Sequence, residues 1–150
     1  MPEFPSEAWF EAVRAVYNGD DRYRGGGAGA CHCRAAAKIG DAAYLIVFDG
    51  AECAETRRIG ADELADVDFY LEMPPERWQA MIDDIAANGG ASLRFTLNTL
   101  DLETDGGIAR SVHGDQYRED LFFRYNQTFQ YFFDASARIA DGSRLESAGG

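Results

Sequence analysis

Lysine is almost missing from this chain: Lys38 is the only one, and 14 basic residues against 26 acidic ones leave a formal net charge of −12. A surface of that sign repels phosphate backbones and anionic headgroups, so nucleic acid and acidic membranes are poor partners. Long apolar runs are missing as well. No stretch approaches the ~20 residues needed to cross a bilayer, which speaks against stable membrane insertion. The N-terminus reads Met1-Pro2-Glu3-Phe4-Pro5-Ser6-Glu7, acidic where a secretory signal would be basic, and no apolar segment follows. Cysteine is scarce, and Cys31, Cys33 and Cys53 cannot all pair within one chain, which suits a reducing compartment. A cytoplasmic location is expected.

Apolar residues make up 46% and charged residues 27%, the balance of a globular protein. The length fits one domain with a real core, taken as residues 1–140, followed by a flexible tail over 141–150. Ser6 caps a first helix, in which Trp9, Val13, Val16 and Tyr17 form a single apolar face. Asn18-Gly19 ends it, and a glycine-rich linker over 25–29 leads into a β-meander. Strands are expected over 31–39, 43–48, 53–59 and 68–72, with Asp49-Gly50 as a tight-turn signal. Pro74-Pro75 then opens a helix carrying Trp78, Met81, Ile82 and Ile85 at i, i+3, i+4 and i+7. Leu93, Phe95 and Leu97 alternate as a further strand, and the phase slip at Asn98-Thr99 reads as a bulge or turn. A loop from Asp105 to Gly114 precedes a long helix over 115–139.

That last helix is the most informative element. Leu121, Phe122, Tyr125, Phe129, Phe132, Phe133, Ser136 and Ile139 share one broad face, opposite Arg124, Gln127, Gln130, Asp134 and Arg138. A core-facing helix explains such a stripe in most proteins. Here a second apolar wall, Trp78 and Met81, lies on the other long helix, so the two can enclose an internal space over a small sheet. Phe123 and Tyr131 fall outside the stripe, are expected to be exposed, and suggest a partner such as a second copy of the chain.

No catalytic constellation emerges. In Cys31-His32-Cys33 a strand sends the two thiols one way and the imidazole the other, so no metal is expected. Asp101 to Gly106 resembles the opening of a calcium loop, but its twelfth position is Val112, where a bidentate Glu is required. Ser111, His113 and Asp115 share one loop with no oxyanion donor in view. Neighbouring acids such as Asp83-Asp84 diverge by about 100° on a helix and suit solvation.

The order of elements resembles the sterol carrier protein type two family over about residues 6–139. The resemblance rests on Ser6-Glu7-Ala8-Trp9 followed by Asp21-Arg22-Tyr23-Arg24, on Val67-Asp68-Phe69-Tyr70-Leu71 before Pro74-Pro75-Glu76-Arg77-Trp78, and on Gly89-Gly90-Ala91-Ser92-Leu93-Arg94-Phe95. It implies an α+β fold, a mixed sheet of about five strands covered by helices, with an apolar cavity for a sterol, fatty acid or acyl-CoA. It also implies binding or transfer without chemistry or cofactor. Trp78, Met81, Ile82, Ile85, Phe95 and Leu97 carry over as wall positions, and the C-terminal stripe adds Phe122, Tyr125, Phe129, Phe132 and Phe133. This sequence departs from the family in a longer, more polar segment from Asp105 to Gly114 and in an unusually aromatic last helix. The rival reading is a small cavity enzyme of the ketosteroid-isomerase or polyketide-cyclase kind, pairing Tyr44, Tyr70 or Tyr125 with Asp68 or Asp101.

Overall fold

The structure, a computed structural model, describes residues 3–23, 31–112 and 114–139. The glycine linker over 25–29, His113 and the segment 141–150 lie outside the described residues. Helix α1 (Glu7–Gly19) begins where Ser6 Oγ accepts the Trp9 N–H at 3.0 Å. Three strands follow, β1 (Cys31–Ile39), β2 (Ala42–Gly50) and β3 (Glu52–Ile59), paired antiparallel in sequence order. A 3₁₀ turn (Ala61–Asp66) crosses the back of this meander and returns the chain to β4 (Phe69–Met73), which runs parallel to β1. Beyond β4 come α2 (Pro75–Asn88), a second 3₁₀ turn (Leu93–Phe95), α3 (Leu97–Glu103), β5 (Ala109–Arg110) and α4 (Gln116–Asp134). The sheet has five strands in the order β3-β2-β1-β4-β5, mixed as expected.

Alternation decides which face is covered. Cys33, Ala35, Ala37 and Ile39 of β1, Tyr44, Ile46 and Phe48 of β2, and Phe69, Leu71 and Met73 of β4 join one core with the helices. Ala36, Leu45 and Val67 form a smaller cluster on the other face, with Leu64 of the 3₁₀ turn. The helical layer holds α1 as well as α2 and α4. Arg14 Nε and Asn18 Nδ2 both donate to the Cys53 carbonyl at 2.9 Å, and Asn18 Oδ1 takes the Cys53 N–H at 2.8 Å, which ties α1 to the β3 edge.

Three local expectations are corrected. Residues 93–97 are not a strand. Thr96 is an N-cap whose hydroxyl accepts the Thr99 N–H at 3.2 Å, and Leu97 and Leu100 are buried at helical spacing behind it. The apparent phase slip at Asn98-Thr99 is the start of α3, with Leu93 and Leu102 left 86% and 78% exposed. The fifth strand is instead Ala109–Arg110, inside the segment read as a loop, where it pairs antiparallel with Tyr70 and Leu71. The long last helix also breaks earlier than expected. At Ala135 the N–H is shared between the Tyr131 and Phe132 carbonyls at 3.0 and 3.2 Å, and a separate helical turn covers 136–139.

Candidate functional site

The two stripes meet as the periodicity implies. Trp78, Met81, Ile82 and Ile85 are all buried on α2, and Phe122, Phe129, Phe132 and Phe133 are fully buried on α4. Their rings run together across the sheet in a series of edge-to-face, tilted and stacked contacts. Phe129 stands 5.0 Å from Phe48 and 5.4 Å from Phe69, Phe132 lies 6.4 Å from Phe10, and Phe10 stacks on Tyr44 at 4.6 Å. Phe10 and Tyr44 were not among the expected wall positions. Phe10 has a signal, since it stands at i, i+3 and i+7 with Val13 and Tyr17 on the buried face of α1, whereas Tyr44 enters the sequence reading only as a group for chemistry. Tyr125 is half-buried on the flank of the layer, under Arg124 at 5.3 Å.

Polar groups seal the seam between α4 and the chain joining α2 to α3. The Leu97 N–H donates to Gln130 Oε1 at 2.7 Å, and the Ala91 N–H donates to Asp134 Oδ1 at 3.0 Å. Gln130 Nε2 also donates to Asp134 Oδ1 at 3.0 Å, so the two side chains brace each other. Burial raises the Asp134 carboxyl above the usual range, although the hydrogen bonds from Ala91 and Gln130 oppose this. Just beyond, the Ser136 hydroxyl is buried with no hydrogen-bond partner among the described residues. A buried hydroxyl in that condition is costly, on the order of 1–3 kcal/mol.

Phe95 and Leu97 take different places. Leu97 is buried under Gln130, whereas half-buried Phe95 lines an open groove of about 330 Å³ between α2 and α3. Pro74, Ala80 and Leu100 share its apolar floor, and Glu76, Arg77, Arg94 and Glu103 stand along its rim. Of the two rings expected outside the core, Phe123 is 51% exposed. Tyr131 is half-buried against the core instead, because α1, the sheet and α3 flank α4 on more than one side.

The groups weighed for chemistry are dispersed. Tyr44 belongs to the helix-covered face and Tyr70 to the opposite one. Asp68 accepts the Arg34 N–H at 3.0 Å, and Asp101 accepts the buried Ile108 N–H at 2.8 Å. The resemblance of Asp101 to Gly106 to a calcium loop thus has another cause: the carboxylate organises the turn into β5. Cys31 and Cys33 are buried while His32 faces outward, 3.2 Å from Asp49. A hydrogen bond with Cys31 and then burial push the Cys33 thiol far up, and burial pushes Cys53 up to about 12. Among the described residues no three His, Cys, Asp or Glu side chains gather as a metal site, and no helix is long and apolar enough to cross a membrane.

A mixed sheet roofed on one face by aromatic helices defines an α+β fold of the sterol-carrier type. The chain is similar to the crystal structure of sterol carrier protein 2, with a TM-score of 0.61 and 18% sequence identity over 90% of this chain and 98% of that one. No family model matches the chain, and no curated protein matches it either.

Proposed function

We propose that this protein binds an apolar, lipid-like molecule, a sterol, fatty acid or acyl-CoA, between its helical layer and the covered face of its sheet, and carries or presents it without chemistry. The observation that carries this reading is the sterol-carrier fold over nearly the whole of both chains. Two features of the layer support it. Its wall is almost wholly aromatic and aliphatic, the kind of surface that holds ligand by area removed from water at about 25 cal/mol per Å². The buried Ser136 hydroxyl offers a polar contact to a ligand hydroxyl or carbonyl beside that wall. The three free, buried thiols suit the reducing cytoplasm.

Because the rings of Trp78, Phe129, Phe132 and Phe133 touch their neighbours, a ligand enters by parting α4 from the chain that joins α2 to α3, along the Gln130–Asp134 seam. Mass spectrometry of purified protein under native and then denaturing conditions tests the reading. A lipid released on denaturation is expected. Absence of any copurifying lipid, together with no saturable quenching of Trp78 by a fluorescent fatty acid or sterol, would replace the carrier with a filled-core interaction domain.

A further inference from the structure

The groove beside α2 has the chemistry of a headgroup site. Its floor, Pro74, Ala80, Phe95 and Leu100, is apolar, while its rim sets Arg77 and Arg94 against Glu76 and Glu103. In a chain of net charge −12, a rim with as many cations as anions is a local exception. The two arginines differ in how free they are. Arg77 Nη1 lies 3.6 Å from Glu103 Oε1, too long for a good hydrogen bond, with the two side chains 39% and 58% exposed. Arg94 makes no hydrogen bond or ion pair among the described residues. Its guanidinium is a planar fork of donors with no acceptor of its own.

The turn that carries Arg94 is held firmly. At one end the Ser92 N–H and hydroxyl donate to the two Asp84 carboxylate oxygens at 2.7 and 3.1 Å. At the other, the Leu97 N–H is fastened to Gln130 at 2.7 Å. Arg94 therefore projects from a turn fixed to both α2 and α4 and lines the groove together with Phe95, so its backbone needs no reordering on binding and only its side chain is immobilised. At about 330 Å³ the groove is at the small end of ligand sites. It suits the head and first carbons of one chain, and is too small for a two-chain lipid.

We infer that the groove between α2 and α3 binds the carboxylate head of a single-chain amphiphile, with Arg94 as its bidentate anchor, Phe95 and Leu100 against its first carbons, and Arg77 recruited as it leaves Glu103. This inference rests on the proposed lipid binding, adds to it an open site outside the ring layer, and names the ligand class taken there. Glu76 and Glu103 repel an anion, so the site discriminates weakly against charge until Arg77 turns inward. Neutralising Glu103 accordingly strengthens binding.

Calorimetric titration with laurate below its micellar range, dodecanol, dodecyl phosphate and inorganic phosphate tests this on the full chain and on Arg94→Gln, Arg94→Lys and Glu103→Gln. Arg94 is exposed, so these variants are expected to keep the wild-type melting curve. Laurate should bind, weaken about tenfold or more in Arg94→Gln, recover only in part in Arg94→Lys, and tighten in Glu103→Gln. Dodecanol should bind more weakly than laurate and be indifferent to Arg94. Equal binding of laurate and dodecanol, with no response to Arg94→Gln, overturns the headgroup site while leaving lipid binding intact. Binding of neither chain overturns both readings. Dodecyl phosphate binding tighter than laurate, or inorganic phosphate competing with it, overturns the carboxylate assignment in favour of a phosphate site.

Discussion

Trp78 of α2 and Phe133 of α4 meet with ring centroids 5.5 Å apart and planes inclined at 46°, while the same indole donates its N–H to the Lys38 carbonyl of β1 at 3.0 Å. One side chain thus joins α2, α4 and the sheet. Trp78→Phe keeps an aromatic body but leaves that carbonyl without its donor and opens space beside Phe133. A loss of about 2–4 kcal/mol is expected in urea denaturation, through the unmade hydrogen bond and the smaller ring together. A loss below about 0.5 kcal/mol would show that the indole does not bind the layers together.

Phe129 stands between Phe48 and Phe69 with no exposure to solvent. Phe129→Ala should cost about 3–5 kcal/mol and leave a cavity in the ring layer. If lipid lodges there, a bulky sterol probe should bind the variant at least as well as the wild type, measured by fluorescence titration at a temperature where both are folded. Loss of all probe binding by the folded variant would show that the space this ring leaves does not receive the sterol.

Asp134 titrates at the seam. Its carboxyl is raised above the unfolded value of 3.8 by burial, so the folded chain takes up its proton first as pH falls. The stabilising contribution of this group is complete below the unfolded value and is lost as pH rises through the raised folded one. Asp134→Asn should therefore match a permanently protonated group, keeping an acceptor for the Ala91 N–H. The difference in stability between variant and wild type should shrink as pH falls from neutral toward about 4. A constant difference across thermal melts in that window would show that Asp134 is not the titrating group.

Phe123 is 51% exposed, and its ring contacts Phe122 at 5.3 Å. With Leu102 it lines a second groove, of about 350 Å³, beside β5. If this side pairs with another copy of the chain, Phe123→Glu should lower the weight-average mass seen by light scattering at high concentration. A wild-type chain that stays strictly monomeric there removes self-association as the reason for the exposed ring.

Much of this architecture was legible along the chain, because the forces that shape single elements act over a few residues. Ser6 and Pro74-Pro75 announced two helices. The spacing of Trp78, Met81, Ile82 and Ile85 named the buried face of α2, and alternation through Ala35, Ala37 and Ile39 marked a strand. The phenylalanines of α4 were equally clear, since Phe122, Phe129, Phe132 and Phe133 fall at helical spacing on one face, and all are fully buried. The stretch from Leu93 to Leu102 misled because a 3₁₀ turn and a one-cap helix together imitate a slipped strand. The Thr96 cap was the one local sign against it.

What remained was decided at long range. A two-residue strand such as Ala109–Arg110 carries no period; it exists only because β4 presents an open edge to it. Parallel pairing of β1 with β4 depends on where the 3₁₀ turn and Val67 return the chain, which no alternation records. Nor can periodicity tell a ring that borders empty space from one that meets another ring. Along the sequence Phe129 and Phe133 are simply apolar at the right spacing, whereas in three dimensions Phe48, Phe69 and Trp78 stand against them. Sequence determined which side chains leave water, because hydration acts on each residue separately; the tertiary structure decided what each of them touches, because close packing is a property of all of them at once.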